Sequence, residues 1–551
     1  MIKYILLTFL LLNCVSLTQA QNSTLLENNV VFTSLDKETR VHDNGKGELQ
    51  VNISTKDVLK FKAARSVYYS DFGAKGDVKT DDIDAIAATH AFANMHGLTV
   101  KANPTATYYI GGKRRTVIIR TDTDFGTAAF IIDDTDVENR NADVFMVSSN
   151  QKPFKLTSIS SVKRNQRKIE LTQGPCLVTV TNSNVKQYIR LGLNQNNGSS
   201  QTDIFVVDKN GNVDMDAPII WDFEQITNIT ALPIDQDLLK ITGGRFTTIA
   251  NKAESNYTYY SRGIAVRRSH VLIEGLRHDI KDEGDHGAPY GGFINIGECA
   301  YVTVRNTILT GHQTYSTIGA AGKPVTMGTY DLSVNHAVNV SFINCSQTNN
   351  IDDTRYWGIL GSNFCKNLLY DSCTLSRFDA HQGVANATIR NSTLGHMGIN
   401  AIGSGLLKIE NSTVRAKSFV NLRSDYGSTW QGEVLIRNCV FIPAGGKPIG
   451  SAALISGSNS GQHNFGYTCY MPERITIEKL RIDDSKHQNN YNGPAIFSNF
   501  NPEMKDETYQ EKFPYVLTNK VMLRGVTTAS GKALRISDNR FMFKNVKVEV
   551  N

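Results

Sequence analysis

The clearest signal in the chain is an alternation of apolar and polar positions that recurs six times: VTVRN at 302–306, VSFIN at 340–344, LLYDS at 368–372, ATIRN at 387–391, LKIEN at 407–411 and VLIRN at 434–438. Each unit is apolar at its first and third positions and closes on Asn, once on Ser. A small residue follows: Thr307, Cys345, Cys373, Ser392, Ser412 or Cys439. Period-two alternation predicts a strand with one buried face. The closing positions lie 38, 28, 19, 20 and 27 residues apart. A constant unit at varying spacing predicts coils of a solenoid with loops inserted between strands, which makes the chain all-β and a parallel β-helix. The closing asparagines predict tight turns, since Asn tolerates left-handed geometry and can bond a stacked neighbour. Residues 475–479 and 521–525 repeat the pattern and carry the solenoid toward the C-terminus.

The first twenty residues follow another pattern: Lys3, an apolar run from 5 to 12, then small residues before Gln21. They read as a secretory signal peptide cut after Ala20, which predicts a periplasmic or secreted protein. A lipidated Cys14 on a surface lipoprotein is the alternative, against which stands Asn13 before it. No later apolar run approaches the ~20 residues that cross a bilayer. Residues 21–66 are polar and are expected to form an irregular extension, with the β-helix filling 67–551 as one unit. The seven cysteines after Cys14 have no zinc-type spacing, and their odd number argues against a disulfide framework. Those in the repeat are expected to be buried spacers. A formal charge of +6 over 551 residues, without a long basic run, gives nucleic-acid binding little support and is compatible with an acidic extracellular ligand.

Residues 69–82, YSDFGAKGDVKTDD, precede a stretch in which Ile83, Ile86, Ala87 and Phe92 form one helical face, so a helix is expected near 81–95 with Thr80 as its N-cap. This segment resembles the opening of the pectate-lyase-like superfamily. The resemblance implies a right-handed parallel β-helix whose open end the helix covers; it implies no single reaction, because that superfamily hosts lyases, hydrolases, epimerases and tailspikes. Residues 100–260 are expected to be early coils with insertions. VDKNGNVD at 207–214 offers spaced oxygen ligands for calcium, but Asn-Gly between strand-like flanks predicts a hairpin turn.

Counting back about 12 residues from each closing position gives a second strand per coil, at 293–297, 359–362, 378–381, 399–402 and 420–423. With Ile294, Ile359, Phe378, Ile399 and Val420 inward, the outer face carries Asn295, Leu360, Asp379, Asn400 and Asn421, with His381 and Arg423 two positions further on. Counting forward adds His312, Asn350, Arg377, His396 and Lys417, and flanking loops supply His286, Tyr290, Tyr315, Arg355, Tyr356 and Trp357. Residues 425–430, DYGSTW, are expected to overhang the resulting groove. A slip of one residue would turn this column inward.

A groove along a solenoid suits an extended polymer, and its cations suit an anionic one. β-Elimination at a uronate needs a group that neutralises the carboxylate, a base for the C5 proton and an acid for the leaving oxygen. Arg423, helped by Asn400 or Asn421, is the expected carboxylate holder; His381, oriented by Asp379, the base; Tyr426 the acid, or the base if cations lower its pKa. His312, Tyr315, Arg355 and His396 form a reserve. EGDHGAPYGGF at 283–293, SRFDAHQG at 376–383, LGHMGIN at 394–400 and LRSDYGSTW at 422–430 look like motifs of secreted Bacteroides-type β-helix proteins, and among these the chain most resembles polysaccharide lyase family 29, a chondroitin-sulfate-degrading group. None of that family's catalytic residues is matched by position. The expected protein is therefore a monomeric secreted lyase of an acidic polysaccharide that requires no cofactor. Calcium at Glu283, Asp285, Asp352 or Asp353 is the alternative requirement. Two rival readings are a polygalacturonase-type hydrolase, which needs two carboxylates ~6.5–9.5 Å apart, and a glycan-binding β-helix without catalysis.

Overall fold

The structure, a computed structural model, describes residues 40–43, 49–138, 142–171, 173–252, 262–284, 291–358 and 360–550. The stretch expected to be a signal peptide, together with Asp285, His286, Tyr290 and Ile359, lies outside them. The repeated unit does form a stack of parallel strands. Val302 pairs with Val340, and the line continues through Leu368, Ala387, Leu407, Val434, Ile475 and Val521. All eight are buried, because one face of every coil points into a shared apolar interior. The closing residues turn the chain in the left-handed region, with φ of 52° at Asn306, 50° at Asn344, 58° at Ser372, 52° at Asn391, 49° at Asn411 and 53° at Asn438. Their amides stack: Asn344 donates to Asn306 at 2.7 Å, Asn411 to Asn391 at 3.2 Å and Asn438 to Asn411 at 2.8 Å. Cys345, Cys373 and Cys439 are buried free thiols beside these turns, so they serve as small spacers.

Two expectations need correction at the N-terminal half. Residues 21–66 are not irregular throughout, since Arg40–Asp43 pairs antiparallel with Leu49–Asn52 and Thr55–Ala64 is a helix. Phe61 anchors that helix against Phe72 and Phe92. The second helix spans Ile83–His96 and packs its apolar face on the first coils. Its N-cap is Asp82, whose carboxylate accepts from the backbone of Lys75 and Gly76, while Thr80 bonds Asp77 instead. The insertion expected within 100–260 falls at residues 154–233. They form a four-stranded antiparallel sheet around Val178, Phe205, Ile219 and Phe223, inserted between strands Phe145–Ser148 and Leu239–Ile249. The solenoid resumes unbroken beyond it, as Leu239–Ile249 pairs with Thr123–Asp133. Within the insertion, Asp208 accepts from the backbone of Asn210 and Asn212, so 207–214 is the expected turn. A buried ion pair, Lys366 to Asp203 at 2.7 Å, ties the inserted sheet to the coils.

The second strand line runs Ile294, Leu332, Leu360, then Phe378, Ile399, Val420 and Ile455. The expected register departs at two places. Leu360 takes the inward place given to Ile359, and Gly361 takes the outer one. After Ala380 the pairing shifts, so His381 is out of step with Ile402, whereas Asp379 does lie beside Asn400, and Asn400 beside Asn421 and then Ser456.

Candidate active site

A cleft of about 690 Å³ opens on this outer face, lined among others by Trp357, Arg377, His396, Asn400, Lys417, Asn421, Arg423 and Asp425. Its polar floor comes from the column, as Asn421 donates to Asn400 at 2.8 Å and Asn400 donates to the Met397 carbonyl at 2.8 Å. Asp379 lies beneath, wholly buried. Its Oδ2 meets Arg377 Nη2 at 2.5 Å, Arg423 Nη1 at 3.4 Å and the Tyr330 hydroxyl at 3.1 Å. Two glycines make room for this assembly. A Cβ at Gly358 would stand 2.2 Å from Arg377 Cδ, and one at Gly361 would stand 2.7 Å from the Tyr330 ring. The Arg377 guanidinium sits over the rings of Tyr330 and Trp357, at 5.5 and 5.2 Å.

Arg423 is held from the other side by Asp425, through Nε at 3.1 Å and Nη2 at 2.8 Å. Burial alone would weaken its charge, but Asp379 and Asp425 outweigh that and raise its pKa. Asp425 is pushed up by burial and pulled further down by Arg423 and by Arg190, so it stays ionised at neutral pH. Arg190 arrives from the inserted sheet and reaches Asp425 at 2.8 Å.

The histidines divide. His396 is half-buried on the cleft wall, and its Nδ1 donates to the Ile351 carbonyl at 3.0 Å, which leaves Nε2 as the lone-pair nitrogen of the neutral ring. His381 is not oriented by Asp379, contrary to expectation. Its Nδ1 pairs with Asn363 Oδ1 at 2.7 Å, and Asn363 in turn donates to Asn335. Burial, reinforced by Arg423 and Arg190, holds its pKa well below the usual histidine range. The ring packs edge-on to Tyr426 at 5.5 Å and is not among the residues lining the cleft. His312 is no groove residue either. It is buried between Glu283 and Asp331, 3.1 Å from each, and Asp331 also binds His278 at 2.7 Å. Burial opposes the charge on His312, yet Glu283 and Asp331 win and lift its pKa to about 10.

Other expectations fail by position. Tyr426 does not overhang the groove: it is 3% exposed, and burial raises its pKa to about 12 against the pull of Arg190, which disfavours a base role. Trp430 is core, its indole donating to the Gly405 carbonyl. Arg355 points to solvent and clasps Asp353, and neither it, Tyr356 nor the buried Tyr315 lines the cleft. Asp352 pairs with Arg415 at 2.6 Å, and Glu283 with His312, so the described candidate calcium ligands are engaged by cations or imidazole. Among the described residues no group of three His, Cys, Asp or Glu side chains is placed to hold a metal ion. Two residues were missed. Tyr330 precedes LSVN at 332–335, whose alternation marks a coil left out of the count; Arg190 sits in the antiparallel insertion, outside any repeat that points to it.

No known protein family's sequence profile matches the chain. Among curated proteins, a KL64-specific capsule depolymerase of Klebsiella phage P510 is 28% identical over 98 residues, which covers 16% of this chain and 10% of the phage protein. Among solved structures, the tailspike gp49 of Pseudomonas phage LKA1 superposes with a TM-score of 0.51 at 12% identity, over 88% of this chain and 84% of the tailspike. The tailspike gp61 of Pseudomonas phage phi297 gives 0.45 at 12% identity, over 84% and 80%. The chain shares a parallel β-helix fold with the gp49 tailspike. At such identity the likeness to solved structures speaks for the fold alone. Among the described residues no helix is long and apolar enough to cross a membrane.

Proposed function

We propose that the chain is an exported protein that binds an anionic polysaccharide along the cleft and cleaves it at a uronate by β-elimination. The observation that carries this is the charge of the cleft: Arg377, Lys417 and Arg423 stand against two carboxylates, Asp425 on its wall and Asp379 beneath it, both already engaged by arginine, which leaves the exposed Lys417 as surplus positive charge. Guanidinium and ammonium groups in a partly dry cleft favour an anionic sugar and stabilise the enolate-like charge that builds as the C5 proton leaves. The short match to a capsule depolymerase supports a polysaccharide as the ligand.

In this reading the substrate carboxylate lies against Arg423, aided by Asn400 or Asn421. His396 Nε2 takes the C5 proton, the C4–C5 double bond forms, and the C4–O bond breaks with its electron pair passing to the oxygen, which takes a proton from water. The base role thus moves from His381 to His396, because His396 is the histidine on the cleft wall. An inverting hydrolase needs a protonated carboxylic acid at the site, and the carboxylate that lines this cleft has its pKa lowered. Elimination here is neutralised by arginine, and chelators are expected to leave it unchanged. The test compares His396→Ala with His381→Ala on uronate polymers. The former should lower kcat by about 10²–10⁴-fold with KM little changed, and a larger loss in the latter would return the base role to His381.

A further inference from the structure

A second cavity of about 400 Å³ joins the cleft, sharing Ser424, Asp425 and Ser458 with it. Its other wall is the loop Arg190 to Asn194 of the inserted sheet, facing His463 and Phe465. The two halves differ in charge. The first carries Arg377, Lys417 and Arg423 over the buried Asp379 and the shared Asp425; the second carries one arginine, Arg190, which Asp425 meets at 2.8 Å. They also differ in surface, for Leu191 and Leu193 on the second are 46% and 42% exposed, large apolar side chains left open beside serines and Asn459. The loop that carries them is pinned: Ile189 donates to the Phe465 carbonyl at 3.1 Å, Leu191 to that of Asp425 at 2.9 Å, and the Leu193 carbonyl accepts from Ala321 at 2.9 Å. Gly192 sits between the leucines with φ of 96°, left-handed backbone that glycine adopts without strain.

We propose that this second cavity is a subsite for an uncharged sugar unit of the same glycan, so that the inserted sheet reads the residue next to the anionic one. Sugar C–H faces pack on exposed leucine, and hydroxyls bond to serine and asparagine, with Arg190 already held by Asp425 and no second lysine or arginine to favour a uronate there. The inference rests on the anionic-glycan reading of the first cleft and adds to it that the preferred polymer mixes charged and uncharged units.

The test measures binding by calorimetry of disaccharides and tetrasaccharides, from a glycan in which uronate alternates with an uncharged unit and from a pure polyuronate. It uses the full chain, the double variant Leu191→Asp/Leu193→Asp and, as a separate control, Lys417→Ala. Both leucines are exposed, so the double variant should keep the fold, which its melting transition checks. The native protein should bind the alternating tetrasaccharide at least about tenfold more tightly than the disaccharide, and the double variant should lose that gain while its disaccharide affinity stays. Equal loss at both lengths, no loss at either, or a preference for the pure polyuronate tetrasaccharide would overturn the subsite. Unchanged binding in Lys417→Ala would instead count against the basic cleft, whatever the double variant does.

Discussion

Arg377 and Asp379 form a deeply buried ion pair, 3% and 0% exposed. Asp379 tolerates burial because two guanidinium groups and the Tyr330 hydroxyl converge on one of its oxygens. Arg377→Ala should therefore cost about 3–5 kcal/mol in urea denaturation, the penalty for stranding a buried charge. A second residue-scale prediction concerns pH. His312 has a folded pKa of about 10 against an ordinary value of 6.5. Its contribution to stability is complete below about pH 6.5 and is lost as pH rises through about 10. Urea midpoints measured across that window should fall for the native protein and fall less steeply for His312→Gln. Parallel slopes would mean that the histidine is neutral in the fold.

At the scale of elements, the asparagine turns set the pitch of the solenoid. At φ of 49°, Asn411 both bends the chain and links Asn391 to Asn438 through its side chain. Asn411→Ala should lose about 1–2 kcal/mol from left-handed strain together with ladder bonds worth about 1 kcal/mol each. Asn411→Gly should lose less, since glycine keeps the backbone, and thermal unfolding of both checks the order. The coils were legible in the sequence because period-two burial and the left-handed turn leave marks that repeat. The column Asp379, Asn400, Asn421 followed from counting along them. What the repeat did not reach was local: Ile359 in place of Leu360 was a one-residue slip where the spacing changes. The buried states of Tyr426, Trp430 and His312 depend on neighbours from other coils, which no periodicity records.

For the whole molecule, the cleft is a composite. The solenoid supplies Arg377, His396, Lys417 and Arg423, and the antiparallel insertion supplies Arg190, which locks Asp425 at the junction of the two cavities. The insertion breaks the repeat, so its part in the site was illegible until the chain was folded, whereas the basic character of the groove could be read from the coils. In the proposed reading, this cation-lined groove attracts an extended polyanion and positions one uronate over a base. The central claim is the reaction, and product chemistry tests it most directly. Purified protein should shorten a uronate-containing polysaccharide and leave a conjugated C4–C5 unsaturated uronate at the new non-reducing end, visible as ultraviolet absorbance that rises with each cleavage. New saturated ends without that absorbance, or tight binding with no shortening of any uronate polymer, would contradict it.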